Sequence, residues 1–374
     1  MNICFFHSSM QPGGIERTIS LLANMYVQNG DKISIITLDN RDSFYSISPD
    51  VQQYHFGLSG NSQSAFQAVK RNFRTVAAFR NAIKSIRPDV IVTFGANTEL
   101  TAYLAKIGLS IKLIGAERAN PFYRTESFWS KNACRIAKRC DGFLFQTQGA
   151  ASYYPESVQK KALVVQNGID SAIYERLDQP WPSRKNICSV GRMDTDKGID
   201  DVIRTFAIVH ERAPQIVLDL YGDGEKRNEL EDLATSLRLS NHVIFHGQCN
   251  TMPEEYAEHR IFLMMSRSEG FPNVLLEAMA SGCVCVAGNC NFGPSELIRD
   301  GENGFLVPVG DCEAAAERVL FALENDEIAQ SISQKAKATR LTNNIKTIGQ
   351  QIHDYLKRFA TIEQEDIECH FSGQ

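Results

Sequence analysis

The stretch SRSEGFPNVLLEAMASGC, residues 266–283, places two glutamates around a glycine, a proline and an apolar segment. Glu269 stands in a Gly-Phe-Pro turn directly after an apolar strand predicted at 261–266, and Glu277 falls inside the helix that follows. Because hydrophobic residues surround Glu277, we expect it to be at least partly buried and to need polar partners. Hydroxyl groups of a bound ribose or hexose would serve, and an arginine elsewhere in the chain is the alternative partner.

The amino end of the same helix offers hydrogen-bond donors. Pro272 suits the first helical turn, which places the backbone N–H groups of Phe271, Asn273 and Val274 at this end. These groups point to the same place as Glu269, and the positive end of the helix dipole favours a phosphate there.

A second motif, SVGRMDTDKGID at residues 189–200, also follows a predicted strand. Arg192 and Lys197 lie on either side of a short loop, and Gly198 begins a helix. A planar guanidinium and an ammonium at the carboxyl end of a strand suit a diphosphate. The alternative is that both are solvated surface cations paired with Asp194 and Asp196.

The N-terminal stretch HSSMQPGGIERT runs from a strand through Gly13 and Gly14 into a helix. Two glycines let the backbone approach a ligand closely, and the helix N-terminus favours negative charge. A plain structural turn explains the pair equally well. The stretch lacks the GxGxxG spacing and the downstream acid of a dinucleotide fold, which counts against a two-domain dehydrogenase.

Short β-branched or aromatic segments alternate along the chain with segments of helical period, which predicts parallel sheets with right-handed crossovers. A Pro-rich linker at 179–184 separates two such series. We therefore expect an α/β protein with one Rossmann-like domain at 1–180 and a second at 181–342. Residues 343–374 are expected to form a helix that packs back on the first domain, followed by a polar tail. Ligands of such folds bind at the carboxyl ends of strands, so the cleft between two facing sheets is the expected site.

The distribution of charge along the chain is more informative than the net charge. The formal net charge of -5 argues against a general nucleic-acid binder, yet residues 60–140 carry 14 basic and 4 acidic residues. Within this region the stretch KNACRIAKR puts Lys131, Arg135 and Lys138 on one helical face. A solvated surface is one interpretation. An anionic membrane surface or a lipid diphosphate is the other.

The ten cysteines contain no CxxC pair, and several fall in apolar strands, which indicates reduced, buried thiols in a cytosolic protein. The N-terminus lacks the features of a signal peptide, and no apolar run approaches membrane-spanning length. We therefore expect a cytoplasmic protein whose membrane contact is at most peripheral, on the cytoplasmic face of the inner membrane.

Taken together, GRMDTDKG, SRSEGFPNVLLEAMASGCVCVA and GPSELIRDGENGFLVP resemble the retaining glycosyltransferases of family four. That family has the GT-B fold, in which two Rossmann-like domains face each other across a cleft. GGIERT near the N-terminus resembles members that extend bacterial polysaccharides on polyprenyl-diphosphate lipids. The resemblance is strong over residues 160–310 and fair over residues 1–40.

The resemblance implies a role for each motif residue. Arg192 and Lys197 would neutralise the diphosphate of a nucleotide-sugar donor, Glu269 would hold hydroxyls of the donor sugar, and Glu277 would hold the ribose. Arg192, Lys197 and Glu269 thereby form the implied catalytic set. Further donor contacts would come from Gly13, Gly14, Gly270, Phe271, Asn273 and Val274.

The same resemblance implies a chemistry. Two cations and helix dipoles would stabilise the leaving nucleotide, so neither a metal ion nor another cofactor is expected. The sugar would be transferred with retention, by attack on the same face, without an enzyme nucleophile.

One departure from the family concerns the acceptor. Many relatives carry a histidine near the reacting centre, in the loop after the fourth strand of the first domain. Here the comparable loop, residues 115–121, reads GAERANP, and Glu117 and Arg118 become candidate acceptor contacts. An internal Glu–Arg pair is the alternative.

The resulting hypothesis is a hexosyltransferase that moves a hexose or N-acetylhexosamine from a UDP-sugar to a lipid-linked glycan acceptor. Such an enzyme would serve in surface polysaccharide assembly, for example of the O-antigen of lipopolysaccharide. A GDP-mannose-dependent mannosyltransferase is the rival within the class. A non-catalytic nucleotide-sugar-binding protein is the rival from another class, and the intact set of Arg192, Lys197, Glu269 and Glu277 counts against it.

Overall fold

The computed structural model describes residues 1–60, 64–118, 121 and 128–360. The chain divides into two compact units. Unit 1 comprises Met1–Gly168 and the chain from Ile345 onward, and unit 2 comprises Ile169–Asn344. Each unit is built on its own parallel sheet with flanking helices, which confirms the predicted pair of Rossmann-like domains.

The strands of unit 1 are β1 (Asn2–His7), β2 (Lys32–Thr37), β3 (Gln52–His55), β4 (Val90–Phe94), β5 (Lys112–Glu117), β6 (Gly142–Phe145) and β7 (Ala162–Val164). They lie in the order β3-β2-β1-β4-β5-β6-β7, and neighbouring strands are parallel. The helices up to Gly168 are α1 (Gly14–Gln28), α2 (Ala65–Ile86), α3 (Ala96–Lys106), α4 (Phe128–Ala137), α5 (Gln148–Ser152) and α6 (Glu156–Gln159).

The strands of unit 2 are β8 (Lys185–Val190), β9 (Leu218–Tyr221), β10 (Val243–Gly247), β11 (His259–Met264), β12 (Val284–Gly288) and β13 (Phe305–Val307). Its helices are α7 (Ser171–Arg176), α8 (Ile199–Arg212), α9 (Arg227–Ser236), α10 (Met252–Glu258), α11 (Asn273–Ser281), α12 (Pro294–Leu297), α13 (Cys312–Glu324), α14 (Asp326–Ala336) and α15 (Thr339–Thr342). The strand order is β10-β9-β8-β11-β12-β13. Because β8 and β11 are parallel neighbours, the loops that leave their carboxyl ends lie side by side.

The boundary between the units lies earlier than predicted. We expected it at 180/181, but Ile169 already belongs to unit 2, where its N–H donates to the Asn343 carbonyl oxygen at 2.8 Å. The Pro-rich segment that we interpreted as a linker is part of unit 2. Trp181 is buried there, and its Nε1 donates to Asp326 at 2.9 Å. Burial of a large aromatic ring thus outweighs the linker-like prolines.

The last described helix, α16 (Ile345–Ala360), packs in unit 1 rather than beside the unit that precedes it in sequence. The Tyr26 hydroxyl of α1 donates to the Gly349 carbonyl oxygen at 2.8 Å, and His353 Nε2 lies 2.7 Å from the Asp31 carboxylate. The predicted polar tail after residue 360 lies outside the described residues.

Helix α2 begins directly after Ser64. The Ser64 hydroxyl caps it by accepting the Gln67 N–H at 3.3 Å, and Arg87 ends it in the left-handed region at φ +52°. The apolar residues of its first turns, such as Phe66, face solvent. These turns therefore lack the helical spacing of buried apolar residues that would have predicted them. Strand β3, which we did not predict, is an exposed edge strand that shows no apolar alternation.

In the part of the chain that the structure describes, no helix is both long enough and apolar enough to cross a membrane. The nine cysteines of the described ranges are free thiols, and six of them are buried.

Replacing Tyr355 with phenylalanine tests how α16 is held in unit 1. The Tyr355 hydroxyl accepts the N–H of Phe143 at 2.9 Å and donates to the carbonyl oxygen of Lys161. The variant leaves a buried N–H without its partner, so we expect urea denaturation to show a loss of about 1–3 kcal/mol in the free energy of unfolding. Tyr54→Phe is the control, since its hydroxyl bonds Gln52 on the exposed edge strand, and it should change stability by less than about 0.5 kcal/mol. Equal losses in the two variants would contradict the assigned role.

Candidate functional site

The loop that follows β8, residues 192–198, is shaped by its own aspartate. The Asp194 carboxylate accepts the N–H groups of Asp196 and Lys197, each at 3.1 Å, and the Nε of Arg192 at 2.9 Å. The Arg192 side chain is 72% exposed. The predicted surface pairing of this arginine with Asp194 is therefore present, and the guanidinium remains open to solvent.

Two glycines make the loop possible. Gly198 has φ +59°, and a Cβ there would lie 2.1 Å from the Met265 carbonyl oxygen at the end of β11. Gly222 has φ +126°, and its Cβ would lie 1.9 Å from the Gly191 carbonyl oxygen. The turn after β9 thus packs directly against the residue that precedes loop 192–198.

Arg267 joins this loop to the loop that follows β11. Its guanidinium reaches both carboxylate oxygens of Asp200 at 3.0 and 2.8 Å, Asp201 at 2.6 Å and the Thr195 carbonyl oxygen at 2.7 Å. Its backbone N–H donates to the Asp196 carbonyl oxygen at 2.7 Å. The paired carboxylates raise the pKa of Arg267. This planar fork is a geometry that lysine does not reproduce.

Arg267 was not among the candidate residues predicted from the sequence. The signal was an arginine between the end of a strand and Glu269, with Asp200 and Asp201 opening helix α8. Only the adjacency of β8 and β11 shows that these residues meet.

The structure brings Lys197 and Glu269 together from opposite sides of this junction. Lys197 Nζ lies 2.8 and 2.9 Å from the two carboxylate oxygens of Glu269. The side chains are 22% and 7% exposed, respectively, so the pair is shielded but reachable from solvent. A phosphate that approached Lys197 would share this ammonium with Glu269 or displace the carboxylate from it.

A buried thiol lines the pair. Cys290 is 3% exposed, and burial, followed by the Glu269 carboxylate, raises the pKa of its thiol to about 12. It therefore stays protonated and unreactive at neutral pH. Within the described ranges, no cluster of three or more His, Cys, Asp or Glu side chains is arranged to hold a metal ion.

Helix α11 directs its amino end toward the Glu269 loop. The Pro272 carbonyl oxygen accepts the N–H groups of Leu275 and Leu276 at 3.1 and 3.2 Å, so helical bonding begins there. The N–H groups of Asn273 and Val274 precede those bonds and lie at the positive end of the helix dipole. Two further residues predicted to contact the nucleotide sugar, Gly270 and Phe271, occupy the same turn, with Gly270 partly buried and Phe271 buried.

Glu277 is 3% exposed, which confirms the prediction that it is buried. The helix around it is buried on all sides, since Leu275–Ser281 contains only buried residues. Glu277 has an interaction partner within the chain, so its burial alone does not require a ligand.

Gly13 and Gly14 lie in unit 1, at the start of α1. The N–H of Gly13 donates to the Tyr45 hydroxyl at 3.3 Å, and a Cβ on Gly13 would lie 2.2 Å from the Glu16 carboxylate. Glu16 in turn bonds His7 Nε2 at 3.1 Å. A phosphate at this helix end would therefore lie beside a carboxylate, and the predicted phosphate contact of these glycines stays a prediction.

Glu117 ends β5 and Arg118 follows it directly, but they bond different partners. The Tyr154 hydroxyl donates to Glu117 at 2.6 Å, whereas Arg118 Nη1 donates to Asn167 at 2.7 Å. Arg118 also lies over the Phe94 ring, 5.8 Å from its centroid. The two residues thus have separate hydrogen-bond partners, but the charge of Glu117 also acts on Arg118, and the predicted alternative of an internal Glu–Arg pair stays a prediction.

Arg118 retains unused donors. Among the described residues, its buried Nε and Nη2 have no hydrogen-bond partner, and neither has Nδ1 of His7, whose ring contacts the edge of Phe94. Burial lowers the pKa of Arg118 to about 10, so the guanidinium stays charged at neutral pH. Buried nitrogen groups without partners are costly, which marks this end of the unit 1 sheet as a place for a polar ligand group.

Arg267→Lys tests the junction between the two loops. Lysine keeps the charge but loses the fork, so we expect the free energy of unfolding to fall by about 1–3 kcal/mol in chemical denaturation. Arg212→Lys is the matched control, because Arg212 forms an ion pair with Glu324 in which the side chains are 60% and 54% exposed. That change should cost less than about 0.5 kcal/mol. Indistinguishable midpoints for the two variants would remove Arg267 from its structural role.

Two family profiles match the chain. "Glycosyltransferase Family 4" matches residues 12–172, and "Glycosyl transferases group 1" matches residues 176–339. Together these ranges include every strand of the two sheets except β1, and they include loop 192–198 and the Glu269 turn.

Characterised and uncharacterised proteins resemble the chain over nearly its whole length. A Campylobacter jejuni protein named GalNAc-alpha-(1->4)-GalNAc-alpha-(1->3)-diNAcBac-PP-undecaprenol alpha-1,4-N-acetyl-D-galactosaminyltransferase is 25% identical over 348 residues, which are 90% of this chain and 93% of that protein. An uncharacterised glycosyltransferase of Haemophilus influenzae is 24% identical, over 87% of this chain and 91% of that protein.

Solved structures share the fold. Anabaena HepE in complex with UDP and glucose has a TM-score of 0.78 at 21% identity, with 96% of this chain and 99% of that chain covered. TarM has a TM-score of 0.78 at 12% identity, with 95% and 99% covered. Because two glycosyltransferase profiles cover both units and the relatives span them together, the chain belongs to the family-four glycosyltransferases and has the GT-B fold.

Proposed function

We propose that this glycosyltransferase moves a hexose or N-acetylhexosamine from a UDP-sugar, with retention, to a polyprenyl-diphosphate-linked glycan in bacterial surface polysaccharide assembly. The observation that carries the proposal is the contact between Lys197 and Glu269 beside the open guanidinium of Arg192. A cationic pair for phosphates and a carboxylate for hydroxyls thereby meet at one edge of the unit 2 sheet.

The donor would use this edge as follows. Arg192 and Lys197 bind the diphosphate, and the N–H groups of Asn273 and Val274 support it from the helix end. Once Lys197 turns to phosphate, the Glu269 carboxylate is free to accept sugar hydroxyls. Glu277 would bind the ribose, and the remaining predicted backbone contacts are Gly13, Gly14, Gly270 and Phe271.

The proposed catalysis is stabilisation of the leaving nucleotide. Negative charge develops on the diphosphate as the glycosidic bond to the donor breaks, and fixed cations lower the energy of that transition state. The acceptor hydroxyl then attacks from the face that the nucleotide leaves, without an enzyme nucleophile. We propose that this step needs no metal ion, because Arg192 and Lys197 supply the positive charge.

The proposed acceptor rests on two supports. The Campylobacter relative is named for a glycan carried on undecaprenol through a diphosphate. In unit 1, the unused donors of Arg118 and His7 suit an acceptor's phosphate or hydroxyl oxygens, and Glu117 would suit a hydroxyl. The proposed location is cytoplasmic, at the periphery of the inner membrane.

UDP is favoured over GDP because HepE, which shares the fold, binds UDP. A GDP-mannose-dependent mannosyltransferase is the rival within the class. The non-catalytic alternative predicts nucleotide-sugar binding without turnover.

A thermal-shift panel of UDP, GDP, ADP and CMP, with and without their common sugars, tests the donor assignment. We expect a selective rise in melting temperature with UDP or UDP-sugars, since a ligand that binds only the folded state stabilises it. Glu277→Ala should lose most of that rise if the carboxylate holds the ribose, whereas the exposed Glu231→Ala should keep it. A GDP-selective shift would move the assignment to mannosyl transfer, and no shift with any nucleotide would contradict the proposed donor site.

Lys197→Ala tests the mechanism. We expect kcat/KM for release of the nucleotide to fall by roughly 100-fold or more, because the diphosphate loses a fixed cation. Lys226→Ala, on the neighbouring turn and paired loosely with Glu229 at 3.9 Å, is the control and should stay near wild type. Since Lys197→Ala leaves Glu269 without its cation, a Lys197→Ala/Glu269→Gln double variant checks that the fold survives.

Near-normal turnover of a folded Lys197→Ala would exclude Lys197 from catalysis. Chelation with EDTA should leave the wild-type rate unchanged, and a loss of activity that Mg²⁺ restores would refute the metal-independent step.

A further inference from the structure

Helix α2 carries three large apolar side chains on the side that faces solvent. Phe66 is 78% exposed, Val69 is 68% exposed and Phe73 is 76% exposed. At about 100° per residue, these positions fall within one sector of roughly 60° on the helix surface. We refer to these three residues as the Phe66 stripe.

A different side of α2, about 120° around the helix from the stripe, is packed into unit 1. Thr75, Phe79 and Ile83 are buried, and Phe79 stacks on Phe6 of β1 with ring centroids 4.0 Å apart. Once this core forms, the register of the helix forces the Phe66 stripe outward. The stripe is therefore a second apolar face and not a core face that failed to dock.

Cations surround the stripe. The residues of α2 include no Asp or Glu, and the basic ones are Lys70, Arg71, Arg74, Arg80 and Lys84. Lys70 and Arg74 are exposed and adjoin Val69 and Phe73 in sequence. The stripe thus combines an apolar ridge with a positive rim.

The surface continues onto the neighbouring helices. Helix α2 packs against α3, and α3 packs against α4. Ile107, at the end of α3, is 56% exposed, and its carbonyl oxygen accepts Arg80 Nη1 at 2.8 Å. Arg135 and Lys138 of the basic face predicted from sequence are exposed, while the side chain of Lys131 lies outside the described residues.

We propose that the Phe66 stripe inserts into the interfacial region of an anionic phospholipid monolayer while Lys70 and Arg74 bind headgroup phosphates. An exposed aromatic ridge with flanking cations and no acids has the chemistry of an interfacial helix. Charge complementarity selects this occupant, because a second copy of the same surface would bring like charges together. Unpaired bases also stack on aromatic rings, but the formal net charge of -5 argues against a nucleic-acid partner.

This surface deepens the proposed function, on which its purpose rests, since a lipid-linked acceptor is reached only at a membrane. Its test is independent of that function. Vesicle binding is measured with no acceptor and no nucleotide sugar present, so the docking surface and the transferase assignment fail separately.

The experiment is co-sedimentation of the full chain with vesicles of phosphatidylcholine, with and without phosphatidylglycerol. We expect binding only to the anionic vesicles and a fall in binding with added salt. Phe66→Ser/Phe73→Ser should lower the partition constant at least about tenfold, and Lys70→Ser/Arg74→Ser should weaken it by a similar factor. Leu341→Ser is the matched control, because Leu341 of unit 2 is 76% exposed, and it should bind like wild type.

Insertion is distinguished from adsorption by fluorescence. Phe73→Trp should show a blue shift of emission on anionic vesicles and quenching by brominated acyl chains, relative to the parent chain, whereas Leu341→Trp should show neither. Three results would each overturn the proposal: no sedimentation of wild type with anionic vesicles, unchanged binding of Phe66→Ser/Phe73→Ser, or a Phe73→Trp emission that does not respond. Sedimentation velocity without lipid tests the remaining alternative. If the wild type forms a dimer and Phe66→Ser/Phe73→Ser does not, the stripe is instead a self-association surface.

Discussion

The guanidinium of Arg267 connects two loops that are 72 residues apart in the chain, and the contact between Lys197 and Glu269 depends on it. Parallel pairing of β8 with β11 brings these loops close, but closeness leaves their backbones free to shift. The fork on Asp200, with the bonds to Asp201 and the carbonyl oxygen of Thr195, fixes one loop against the other. Lys197 and Glu269 then meet with hydrogen-bond geometry, because each is carried on a loop that the same arginine holds.

The Lys197–Glu269 pair also explains how both residues coexist before a donor arrives. A carboxylate that is 7% exposed is costly unless it has a cation, and Lys197 supplies one without a ligand. In the proposed mechanism the donor diphosphate competes for that ammonium, and the released carboxylate meets the sugar. The exposed Arg192 requires no such exchange, so we expect it to make the first contact with phosphate.

Unit 1 contributes a different chemistry. At the carboxyl ends of its strands, Arg118 and His7 have buried nitrogen atoms for which the described residues provide no hydrogen-bond partner. These nitrogens suit a polar group of the proposed acceptor. The outer helices of unit 1 carry the Phe66 stripe and a cationic rim. The proposed roles therefore separate, with donor recognition in unit 2 and with acceptor recognition and membrane docking in unit 1. This separation matches the charge pattern, since the basic excess of residues 60–140 falls entirely in unit 1.

The sequence alone determined the two parallel-sheet units, the turns that carry Arg192, Lys197 and Glu269, and the burial of Glu277, because local periodicity and Gly/Pro punctuation specify them. Family resemblance added the GT-B fold and the expected roles. Tertiary structure alone decided the boundary at residue 168, where burial of Trp181 and pairing of Ile169 outweigh a linker-like composition. It also decided that Arg267 meets Asp200, that Lys197 meets Glu269, and that Phe66 and Phe73 face solvent. Each of these depends on which distant segment lies alongside, and pairing between strands far apart in sequence is not encoded by the residues of either segment alone.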